Sequence, residues 1–133
     1  MSEKNCSMCS ESKEDASLKV RRVYGCSGCA DVGGVADRVS RKLRADKFAD
    51  PSGSCLAGIG ANIEPLIKAA KEVDEVITID GCPMLCAKKI MDNHEIAARS
   101  FILTELGLEK GKTLVTDEIV EKMCNEIKIA CQE

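Results

Sequence analysis

The chain has 133 residues, 44% of them apolar and 31% charged, with a formal net charge of -3. That length suits one domain with a core of its own, and the composition excludes a disordered chain. The acidic balance, with only Tyr24, Phe48 and Phe101 as aromatics, excludes a nucleic-acid-binding surface, and no apolar run reaches the ~20 residues of a membrane-spanning helix.

Residues 1–17, "MSEKNCSMCSESKEDAS", are polar and aperiodic and read as a tail carrying Cys6 and Cys9. They lack the apolar stretch of an export signal, so a cytoplasmic location is expected. Residues 18–133 read as a single α/β domain. "VRRVYG" (20–25) predicts a strand. Asp31 is then the expected N-cap of a helix in which Val32, Val35, Ala36, Val39 and Leu43 form one apolar stripe. "SCLAGIG" (54–60) predicts a second strand. Asn62 is the expected cap of a second helix, with Ile63, Leu66, Ile67 and Ala70 on one face. Its Pro65 falls in the first turn, where a missing N–H costs little. "VITI" (76–79) is a β-branched strand, and Pro83 opens a third helix that fades near Asn93. "SFILTEL" (100–106) predicts a fourth strand. Thr116 caps the last helix, whose stripe is Val120, Met123, Cys124, Ile127 and Cys131.

Four strand–helix repeats predict a three-layer, Rossmann-like α/β fold with a mostly parallel sheet of about four strands. Ligands of such sheets gather beyond the carboxyl ends of the strands. Cys26 and Cys29 follow the first expected strand, Cys55 lies by the second, and Cys82 and Cys86 follow the third. Five of the nine cysteines thus converge on one edge. An odd number of thiols without an export signal points to metal binding or redox chemistry rather than to structural disulfides.

The stretch "IDGCPMLCAKK" (79–89) carries the most local information. With Pro83 at the first helical position, Cys82 becomes the N-cap and Cys86 lies one turn along, so both sulfurs reach one point. The positive end of the helix favours thiolate, the form that binds zinc and attacks disulfides. Gly81 permits close approach of the backbone. The plainer reading, two small buried hydrophobes, is weakened by the other thiols expected nearby. Cys26 and Cys29 form a C-x-x-C pair, which is half a tetrahedral zinc site or a redox dithiol.

Three blocks, "CSGCADVGGVADRVSRKL", "CLAGIGANI" and "IDGCPMLCAKKIM", together resemble the DGC-domain family, named for its Asp-Gly-Cys triplet and described as zinc-binding. The resemblance covers about residues 20–108. It implies four metal ligands at Cys26, Cys55, Cys82 and Cys86, with Cys29 as a neighbour or spare ligand. Zinc is the implied cofactor, held at the carboxyl edge of the sheet in a structural or metal-handling role. Four thiolates around zinc carry a net charge of about -2, which helix N-termini and Lys88 or Lys89 would offset. Two alternatives stay open. Cys26 and Cys29 could serve a thiol–disulfide or persulfide enzyme, or the cysteines could hold an iron–sulfur cluster. The residues specify no catalytic group, substrate, protein partner or oligomeric state.

The remaining features read as structural. Cys124 and Cys131 lie on the apolar stripe of the last helix and are expected in the core. Cys6 and Cys9 are a second half-site or an incidental pair. His94, the only histidine, reads as a solvated cap residue. "GLEKGKT" (107–113) is one residue short of a phosphate loop and reads as a surface turn.

Overall fold

A computed structural model describes residues 19–132. Three strands, β1 (Arg21–Gly25), β2 (Glu75–Asp80) and β3 (Arg99–Ile102), form a parallel sheet in the order β1-β2-β3. The register sets Val23 beside Ile77 and Ile79 beside Phe101. The helices are α1 (Asp31–Ala45), α2 (Leu56–Gly60), α3 (Glu64–Glu72), α4 (Cys86–Asn93) and α5 (Asp117–Cys131).

The central strand organises the core. Every residue from Val76 to Asp80 is buried, as a strand covered on both faces requires. Ile77 and Ile79 join Val23 against α1, through Val35, Val39 and Leu43, and against α5, through Met123 and Ile127. Val76 and Tyr24 pack on the opposite face against Ile59 of α2, Ile67 of α3 and Met91 of α4. Side chains that alternate along a strand thus meet a helical layer on each face.

Among the described residues the sheet has three strands, not the expected four. Within residues 54–60, where a strand was expected, Leu56–Gly60 form a short helix, α2, preceded by Cys55 as its cap. Leu56 and Ile59, three apart, are its half-buried and fully buried apolar side chains, a helical spacing. The free edge of β1, where such a strand would pair, is covered by the preceding loop. Asp50 N–H donates to the Arg21 carbonyl at 2.8 Å, and the Arg22 guanidinium donates to the Ser52 carbonyl. The chain passes around that edge from α1 on one face to α3 on the other. Strand order also runs one way without reversal among the described residues, so the switch point of a Rossmann-like sheet is not found. The last strand ends at Ile102, and Leu103–Leu106 continue as a 3-10 turn.

The helix starts match expectation at α5 and differ at α1 and α3. Thr116 caps α5, its hydroxyl accepting from Ile119 N–H at 3.2 Å. Asp31 is the first residue of α1 rather than its cap, which is Ala30. Ile63, not Asn62, caps α3, and Pro65 does lie in its first turn. No helix among the described residues is long and apolar enough to cross a membrane.

Candidate metal centre

The site begins where β1 and β2 end together. Cys26 N–H donates to the Ile79 carbonyl at 3.0 Å, so the ladder carries Cys26 alongside Asp80 and Gly81. Gly81 N–H then donates to Cys26 Sγ at 3.2 Å. Partial burial pushes the Cys26 thiol above its usual 9.0, and the neighbouring Asp80 and Cys86 add to the rise, while the Gly81 N–H opposes it.

Each member of the Asp-Gly-Cys triplet has its own task. Asp80 is only 1% exposed, and its carboxylate accepts from Ala87 N–H at 2.8 Å and Lys88 N–H at 3.1 Å. It therefore caps α4 from the end of the strand. A β-carbon on Gly81 would lie 2.6 Å from the Val32 carbonyl carbon and 2.8 Å from Gly33 nitrogen. Only glycine lets β2 end this close to the first turn of α1. Cys82 follows, half-buried, at the edge of the opening.

This arrangement corrects the expected helix start. Cys82 is not the N-cap and Pro83 is not the first helical residue. The Cys82 carbonyl accepts from Leu85 N–H at 3.2 Å, closing a turn with Pro83 in its second position, where proline is favoured. Leu85 precedes the helix with φ of +58°, a left-handed conformation that costs a non-glycine residue about 1 kcal/mol. Cys86 is then the first helical residue. Asp80 already satisfies the N–H groups of the first turn, so the cap falls to the carboxylate and the thiols are left free.

A cavity of about 370 Å³ opens at these junctions, with Cys26, Cys29, Cys82 and Cys86 in its lining. Val32, Leu56 and Met84 supply apolar wall. Cys29 and Cys86 are exposed, and all seven cysteines among the described residues are free thiols. Cys55 is exposed ahead of α2 and does not line the cavity, although its neighbour Leu56 does. The structure thus brings together four of the five expected thiols and leaves Cys55 apart. A larger hollow of about 510 Å³, at the opposite end of the sheet around Asp74, Glu95 and Arg99, contains no cysteine.

Sequence reasoning missed two residues here, Asp31 and Lys110. The Asp31 carboxylate accepts from Gly111 N–H and Thr113 N–H, each at 2.9 Å, as well as from Val32 N–H at 2.7 Å. These donors hold its carboxyl below the usual 3.8. They also draw the 107–116 loop across the start of α1, which sets Lys110 Nζ 3.5 Å from Cys82 Sγ. The stretch read as a surface turn is exposed, but it delivers a cation to the cavity. Lys88, expected to offset the charge of the site, lies 2.6 Å from Asp92 on its own helix instead. Asp31 and Gly111 are 80 residues apart, so no local pattern announces their pairing.

The donor set, four thiols with no competing carboxylate in the lining among the described residues, suits a thiophilic ion such as zinc. The thiols line the cavity without converging: among the described residues, no three Cys, His, Asp or Glu side chains are grouped closely enough to hold a metal ion. Cys124 and Cys131 belong to the core instead. Cys124 is fully buried, its thiol donates to the Val39 carbonyl at 3.7 Å, and burial pushes it up to about 11. Cys131 is half-buried against the same core, and burial raises its thiol too. Cys6 and Cys9 lie outside the described residues. His94 closes α4 as its C-cap, half-buried, with its N–H donating to the Met91 carbonyl at 3.0 Å.

Comparison with known proteins places this geometry in context. The DGC domain model matches residues 22–127. The anaerobic and virulence modulator AnvM of Pseudomonas aeruginosa is 34% identical over 89 residues. The alignment covers 66% of this chain and 66% of AnvM, a little under two thirds of that relative's length. No solved structure matches the chain.

Proposed function

The chain belongs to the DGC domain family, and from that membership we propose a cytoplasmic zinc-binding protein with a cysteine-thiolate centre at the carboxyl edge of its sheet. The observation that carries this reading is one cavity lined by four free thiols from two strand–helix junctions. Cys26, Cys82 and Cys86 would hold the ion, with either Cys29 of the cavity or Cys55 of the family pattern as fourth ligand. Zinc bound there ties the β1–α1 and β2–α4 junctions together and adds to folding free energy. Lys110 and the backbone N–H of Gly81 are the groups in place to offset thiolate charge.

Elemental mass spectrometry on protein purified without added metal, together with its visible spectrum, tests the reading. The expected protein is colourless and carries about one zinc per chain, as one tetrathiolate site requires. Zinc is lost in Cys82→Ser and Cys86→Ser. Comparing Cys29→Ser with Cys55→Ser identifies the fourth ligand. Iron with labile sulfide and visible absorption would replace zinc by a cluster. Metal-free protein with fast-reacting Cys26 and Cys29 would overturn the reading in favour of a redox dithiol.

A further inference from the structure

Among the described residues, Lys110 is the only charged one in the lining of the thiol cavity; the other side chains there are thiols, apolar groups and Ser27. Its position follows from a pinned loop rather than from chance surface proximity. Asp31 takes the N–H groups of both Gly111 and Thr113, one and three residues after Lys110 in the same turn. Thr113 Oγ1 closes the same turn, donating to the Glu109 carbonyl at 2.7 Å and accepting from Glu109 N–H at 3.2 Å. Gly111, with φ of +89°, supplies the left-handed residue the turn needs. Lys112, two residues along, faces Glu109 at 3.8 Å instead. The neighbouring carboxylates are engaged elsewhere: Asp31 by the loop and Val32, Asp80 by the start of α4, and Asp92 by Lys88. Among the described residues, one ammonium without a carboxylate partner therefore stands beside one accessible thiol, next to the apolar surface of Met84 and Leu56.

We propose that in the metal-free chain the Cys82 rim of this cavity recognises small anionic disulfides. Lys110 takes the carboxylate of the ligand and Cys82 exchanges with its sulfur. In the exchange, Cys82 thiolate attacks one ligand sulfur and forms a new S–S bond as the ligand's own S–S bond breaks. The departing half leaves as a thiolate and takes up a proton. Cys82 is oxidised to the mixed disulfide while that half is reduced, and the ligand disulfide is the oxidant. This goes beyond metal binding and uses a thiol that zinc would occupy, so it describes the chain without its ion.

The test uses the full chain stripped of metal by a chelator. It reacts separately with dithionitrobenzoate, a doubly anionic disulfide, and with dithiodipyridine, a neutral one. Peptide mass spectrometry reads the early adduct at Cys82. The ratio of the two rates at one pH cancels the ionisation of the thiol and reports the charge beside it. Lys110→Met should lower the anionic-to-neutral ratio about fivefold, the effect of one exposed unit charge near the reagent. Lys110→Arg should restore it, and Lys112→Met should leave it unchanged. An unchanged ratio in Lys110→Met, or an equal fall in Lys112→Met, overturns the proposal. Zinc content is counted in a separate experiment, so either reading can fail without the other.

Discussion

Replacing Asp80 by asparagine separates a capping role from a metal-ligating one. The carboxylate is buried and accepts two backbone N–H groups of α4, at 2.8 and 3.1 Å. A hydrogen bond to a charged group contributes about 1.5–3 kcal/mol. Asparagine keeps one acceptor oxygen but turns an NH2 group toward the other N–H, losing one bond and the charge on the second. The favourable interaction with the helix dipole, about 0.5–1 kcal/mol, goes as well. The combined loss is about 2–3 kcal/mol. In a chain of this size that lowers the midpoint of thermal unfolding by roughly 8–10 °C. The assay is urea and thermal unfolding of the metal-free protein, with hydrogen exchange at the Ala87 and Lys88 amides. Both amides should lose protection before the rest of α4. Wild-type stability of Asp80→Asn in the metal-free state would refute the capping argument. If that variant also failed to bind zinc, Asp80 would belong to the metal site.

Two further outcomes follow from the packing. Gly81→Ala places a β-carbon 2.6–2.8 Å from backbone atoms of Val32 and Gly33, which cannot rotate away; a loss of about 2–3 kcal/mol is expected from such overpacking, and unchanged stability by urea unfolding would show that the junction is looser than described. For Cys124, the unfolded chain ionises the thiol near 9.0 whereas the folded chain holds the proton up to about 11. Above pH 9 deprotonation therefore favours the unfolded state, and stability should fall between those two values. Unfolding curves across that range should be less steep in pH for Cys124→Ala; identical slopes would remove the thiol from the account.

Much of the framework was legible because it is written in local periodicity. The stripe from Val32 to Leu43 is buried as expected, since a 3.6-residue repeat requires no knowledge of the partner surface. "VITI" marked the central strand by its β-branched, uniformly apolar residues. Residues 54–60 were misread because a run of small residues fits either period, and only occupancy of the β1 edge by Asp50 and Ser52 excludes a strand. The start of α4 was misread for a similar reason. Pro83 suits the first position of a helix and the second of a turn equally well, and the choice was made by the Asp80 carboxylate, which reaches Ala87 and Lys88 across the turn.

The sequence by itself determined the parallel α/β order, the two helix stripes and the placing of Cys26, Cys29, Cys82 and Cys86 after strands, because each depends on neighbours a few residues away. The tertiary structure decided which of those thiols share a cavity, that Cys55 does not line it, and that Lys110 stands beside Cys82. Those outcomes rest on Asp31 bonding a loop 80 residues distant and on Gly81 letting a strand end against a helix. Contacts of that kind are set by which surfaces the packed core brings within reach, and no spacing along the chain encodes them.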